Sequence, residues 1–145
     1  MLSMKCSDAT SVFSSDMGDE PVRNEDRFLM LGLSKGTIVF IDVKHFTEVY
    51  ARFSIITSAI KMVREVIATR TFVLFSEEFN LTLFGFKNSK SVVLQTVSLF
   101  RPVMEMCVSG KSIILGFSSG DTEFFWIDSD QSTENEHEKT YISKM

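Results

Sequence analysis

The sequence predicts an all-β chain made of repeated antiparallel units, each of about four strands. Three observations predict it. The first is composition: 14 Phe stand against 1 Trp and 2 Tyr, and only 2 Pro occur in 145 residues. Phe and β-branched residues suit a pleated, half-buried surface, and few positions lack the N–H that a sheet ladder uses. The second is repetition. Leu31-Gly32-Leu33-Ser34-Lys35-Gly36 returns 84 residues later as Leu115-Gly116-Phe117-Ser118-Ser119-Gly120, with Val73-Leu74-Phe75-Ser76 midway, giving a period of 42. In this frame Leu33, Phe75 and Phe117 align, as do Ser34, Ser76 and Ser118. Helix-pair solenoids share this period, so the local pattern decides. That pattern is the third observation: short apolar runs bounded by turn residues read as strands and hairpins.

The elements follow in order. Residues 1–26 are Ser-rich and polar, and are expected to be mostly disordered. Met17 to Asp26 lies where the first unit needs an inner strand, yet it shows little apolar alternation. Phe28 to Leu33, the turn Ser34-Lys35-Gly36 and Thr37 to Val43 form a hairpin. Glu48 to Phe53 supplies an outer strand. Phe53 to Ile67 reads two ways: Phe53, Ile56, Ile60, Val63 and Ile67 sit at helical spacing, but the region aligns with 97–109 and is rich in β-branched residues. Strand is preferred, and Met62 and Met104, 42 apart, support that alignment.

Phe72 to Phe75 and Leu81 to Phe86 form a weaker hairpin. Its turn, residues 76–80, lacks Gly and is expected to be longer, with Asn80 taking the left-handed conformation. Ser91 to Val97 is an outer strand and Val103 to Val108 the inner strand of the third unit. Lys111 to Phe117, the turn Ser118 to Asp121 and Glu123 to Ile127 repeat the first hairpin. Residues 129–145 form an acidic polar tail in which Tyr141-Ile142 can return as a last outer strand.

The stretch from Phe28 to Asp42 resembles the second and third strands of a WD40 repeat, with Ile41-Asp42 in place of the closing Trp-Asp. Phe125-Trp126-Ile127-Asp128 resembles the same ending with one extra residue. The resemblance covers residues 27–128 and implies the four-stranded blades of a WD40-like β-propeller, about three blades or part-blades forming an incomplete ring. The sequence departs from the family pattern. Lys35 or Ser119 stands where the hydrogen-bonded tetrad of that family places Asp, and no Gly-His pair precedes a unit. His45 follows a strand and His137 lies in the tail. Ladder hydrogen bonds and apolar packing must therefore hold each blade. The chain is expected to be a fragment or short form of a larger propeller, or to complete its ring with another chain.

Several function classes are disfavoured. The net charge of −4 comes without a Lys/Arg stripe, so nucleic acid is not an expected partner. No apolar window approaches the ~18 residues of a membrane-spanning helix, and the start lacks a signal-peptide core, so an intracellular, cytoplasmic location is expected. Cys6 and Cys107 are too few for a disulfide framework, and Cys107, in an apolar run, is expected to be a buried thiol. No Cys-x-x-Cys, Gly-x-Ser-x-Gly or phosphate loop occurs, so no catalytic residue, metal or cofactor is expected.

The resemblance implies a non-catalytic scaffold that binds other proteins, or further blades, through loops at the blade ends. The candidate contact turns are Lys35, Glu77, Glu78, Asn88, Lys90 and Ser119. A phosphoinositide- or membrane-surface-binding propeller is the alternative. Phe100-Arg101-Pro102 offers one Arg where such propellers carry a pair.

Overall fold

The computed structural model of the protein describes residues 28–44, 49–130 and 139–145. The readings of residues 1–26, of His45, and of His137 and the acidic run at 131–138 lie outside them.

The first sheet contains β1 (Phe28–Gly32), β2 (Thr37–Asp42) and β3 (Val49–Ser54). The second contains β4 (Ile60–Val66), β5 (Thr71–Ser76), β6 (Asn80–Lys87) and β7 (Lys90–Ser98). The third contains β8 (Val103–Ser109), β9 (Ser112–Phe117), β10 (Thr122–Asp130) and β11 (Lys139–Lys144). Within each sheet, consecutive strands pair antiparallel. The chain thus runs through three meanders, the up-and-down order of propeller blades. The region left between helix and strand is a loop at 55–59 followed by β4 and a short 3₁₀ turn at Ile67–Thr69.

The sheets stack face to face through two cores. Between the first and second lie Met30, Ile38, Phe40, Ile60, Val63, Phe72, Leu74 and Phe84. Ring contacts join Phe40, Phe53, Phe72, Phe84 and Phe86 there, which is where much of the Phe content is used. Between the second and third lie Met62, Val73, Phe75, Leu81, Leu83, Met106, Ile113, Leu115 and Phe125. The middle sheet is covered on both faces, so all six residues of β5 are buried and its sequence, Thr-Phe-Val-Leu-Phe-Ser, does not alternate. Outer strands β3 and β7 lie at sheet edges and are mostly exposed or half-buried.

The hairpin turns correct the repeat frame. Leu33 accepts from Gly36 N–H, Ser76 from Phe79 N–H, and Phe117 from Gly120 N–H. Ser76, not Phe75, is therefore the counterpart of Leu33 and Phe117, and the second turn is no longer than the others. Its left-handed residue is Phe79 at φ 62°, matching Gly36 at 71° and Gly120 at 89°; it is not Asn80. The same shift separates the two methionines. Ile60 pairs with Ser76 and Val103 with Phe117, and a bulge follows each, so Met62 corresponds to Glu105. Met62 is buried, whereas Met104 is a bulge residue exposed to solvent. Cys107 is also exposed, not buried: it faces the side of the third sheet that neither of the other two described sheets covers.

Candidate functional site

Antiparallel meanders place their connections alternately at two ends. The turns at 33–36, 76–79 and 117–120, and the inter-sheet loops at 55–59 and 99–102, share one end. Backbone bonds knit them together: Gly36 accepts from Ile55 and Ile56, Leu33 from Ile60, Ala59 from Glu77, and Phe79 from Leu99. Gly36 is required here, because a side chain would strike the Ile56 carbonyl. Lys35, Glu77, Glu78 and Ser119 are exposed at this end. Asn88 and Lys90 are not with them. They belong to the β6–β7 hairpin at the opposite end, where Asn88 and Ser89 at φ 52° and 61° make the two-residue turn that suits twisted strands.

A cleft of about 230 Å³ opens at the first end between the second and third sheets. Met62, Phe75, Phe79, Pro102 and Val103 form its apolar lining, and Lys61 and Glu77 flank it. Phe79 stacks on Phe75 at 6.4 Å, which helps hold a bulky residue in the left-handed region. Two residues before Pro102 of the lining stands Phe100, 87% exposed and at φ 60°. Neither its burial nor its backbone favours this residue locally. Such an outlier points to function. Turn chemistry in the sequence singles out neither Phe79 nor Phe100 as a contact residue.

Arg101 adjoins Phe100. Its guanidinium lies 3.5 Å from the centre of the Phe117 ring and binds Asp121 at 3.3 Å and Glu123 at 3.0 Å. Lys144 reaches the same Glu123 oxygen at 3.3 Å. Ser119 donates to Asp121 at 2.9 Å, and with Arg101 this bond holds the Asp121 carboxyl below its ordinary range. An anion approaching Arg101 would have to displace two carboxylates, so this Arg is poorly placed to hold a phosphate.

One further group titrates unusually. Glu65 on β4 pairs opposite Phe72, its Oε2 is buried without a hydrogen-bond partner, and burial pushes its pKa up to about 7. Among the described residues no three His, Cys, Asp or Glu converge on a metal position. Among the described residues, no helix is long and apolar enough to cross a membrane.

No protein-family model and no curated protein matches the sequence. Solved structures do match the fold. Hsv2 from Kluyvelomyces marxianus aligns with a TM-score of 0.59 at 12% identity, over 81% of this chain and 40% of that one. Hsv2 from Kluyveromyces lactis gives 0.55 at 9% identity, over 81% and 42%. The β-propeller domain of Cps50 (Swd1) from Myceliophteria thermophila gives 0.52 at 13% identity, over 68% and 36%. The chain spans about two fifths of the length of these structures. Its fold is therefore that of β-propeller blades, with three sheets in an open array among the described residues.

Proposed function

We propose that the chain is a non-catalytic binding module that takes an extended peptide at the end of the sheets where the cleft opens. The exposed, left-handed Phe100, two residues before the cleft-lining Pro102, carries this reading. An apolar peptide side chain would enter between Phe79 and Pro102, and Phe100 would cover it. Aromatic anchors in desolvated pockets dominate such affinities. Lys61 and Glu77 would set the charge of the flanking peptide positions. Lys35, Glu78 and Ser119 would act as rim contacts; Asn88 and Lys90 lie too far round the blade to join them. An exposed, unpaired Cys107 suits a reducing, intracellular compartment.

Selection of a random peptide library on the whole chain tests this. Peptides with one apolar anchor are expected, with affinity reduced about tenfold or more by Phe79→Ala or Phe100→Ala at unchanged circular dichroism. Failure to select any peptide, or binding that survives both substitutions, would overturn it. Flotation with anionic and neutral liposomes tests the membrane alternative. The engaged Arg101 leads us to expect no dependence on anionic lipid.

A further inference from the structure

The three sheets present equivalent faces, and among the described residues one of these faces has no sheet packed on it. Met30, Gly32 and Phe40 of the first sheet point to the second, and Val73, Phe75 and Leu83 of the second point to the third. These five side chains are at most 2% exposed. The matching positions of the third sheet, in the corrected register, are Ile114, Gly116 and Phe124. Trp126 and Tyr141 continue the same face. Phe124 is 43% exposed, Trp126 37% and Tyr141 42%. Gly32 is filled by the next sheet, whose Ile60 Cγ2 lies 2.5 Å from where a Cβ would stand. At Gly116 the nearest atom is the Glu105 Cβ within the same sheet, at 3.8 Å. Contiguous exposed apolar area of this kind marks an interaction surface.

The chain itself carries a complementary face. Leu29, Leu31, Leu33 and Ile41 of the first sheet correspond to Phe72, Leu74, Ser76 and Phe84 of the second, which receive a preceding sheet and are nearly inaccessible. In the first sheet the four are half-buried, and Val39, opposite Leu31 on the same face, is 4% exposed. We infer that a second copy of this chain seats its first sheet on the Phe124–Trp126 face of the third, and receives the same contact in return. Three sheets per copy give a two-fold ring of six blades, within the roughly 4–8 that close a propeller. A head-to-tail contact of this kind is stable as a finite assembly only if it closes. The inference concerns the side faces of the sheets and does not rest on the peptide-binding reading of their ends.

Light scattering after size exclusion reads the outcome. The whole chain is expected at twice its 16.5 kDa mass. Phe124→Glu with Trp126→Glu, and separately Leu29→Glu with Leu31→Glu, should return it to a single chain with its β circular dichroism retained. Phe79→Ala with Phe100→Ala should leave the pair intact, which separates this inference from the peptide site. Cys107 lies on the uncovered face and gives a readout without altering its apolar residues. In a Cys6→Ser protein, its maleimide labelling rate should fall as protein concentration rises. A single-chain mass for the native protein overturns the inference. So does an assembly that survives Phe124→Glu with Trp126→Glu, or a labelling rate independent of concentration.

Discussion

Gln95 in β7 holds the backbone of Ile142 in β11 from both sides: its Oε1 accepts from the Ile142 N–H, and its Nε2 donates to the Ile142 carbonyl at 3.4 Å. The contact joins the outer strands of two neighbouring sheets, whose stacking otherwise depends on apolar cores nearer the middle. Gln95→Ala should lower stability by about 1 kcal/mol. Hydrogen exchange should show β11 loosening before β9 and β10.

Gly32 and Ile60 test the packing between the first two sheets. Gly32→Ala would drive a Cβ into Ile60 and is expected to destabilise by about 1–3 kcal/mol. Ile60→Ala in the same chain removes the Cγ2 that the new Cβ would meet, so the double substitution should cost less than the sum of the two single ones. A double-mutant cycle in urea showing strict additivity would rule out the contact as the cause.

Glu65 makes stability depend on pH. Its folded-state pKa of about 7 exceeds the ordinary 4.5, so the folded chain keeps a proton that the unfolded chain has already released. Stability is therefore greatest below about 4.5, falls as pH rises to about 7, and levels off above that. Glu65→Gln should remove this slope in urea melts taken from pH 4.5 to 8, about the range over which the two states differ in bound protons.

Arg101 and Ser119 both act on Asp121. NMR titration should place the Asp121 pKa below its ordinary value and show it rising in Ser119→Ala and, separately, in Arg101→Ala. Because the folded value is depressed, this group favours folding above its ordinary pKa and loses that effect as pH falls through the lowered one. Arg101→Ala should also destabilise by about 1 kcal/mol through loss of the Phe117 stacking, an effect that added salt does not reproduce.

The strands and the 84-residue echo between Leu31–Gly36 and Leu115–Gly120 were legible from the sequence, because strand and hairpin signals are local. The second hairpin misled in a specific way. Without a Gly to mark its turn, the 42-residue frame aligns Phe75 with Leu33 and Phe117, yet hydrogen bonding sets Ser76 there, 43 residues after Leu33 and 41 before Phe117. A large aromatic is not an expected left-handed residue. Phe79 in that conformation stacks on Phe75 and accepts from the Leu99 N–H.

The site was less legible than the fold. Turn chemistry picked out Lys35, Glu77, Glu78, Asn88, Lys90 and Ser119 as exposed polar positions, but it could not say which end of a blade each occupied. It gave no reason to select Phe79 or Phe100, which resemble core residues by type. Nor could it show that Cys107 and Phe124 face outward while Met106 and Phe125 face inward. By itself, the sequence determined the strand type, the repeat and the number of units, since these follow from side-chain periodicity and turn residues along the chain. Only the tertiary structure decided the register within the second unit, the sorting of turns between two ends, and which sheet face is left uncovered. Those depend on hydrogen bonds and packing between paired strands and stacked sheets, where one residue of slip exchanges the two faces of a strand.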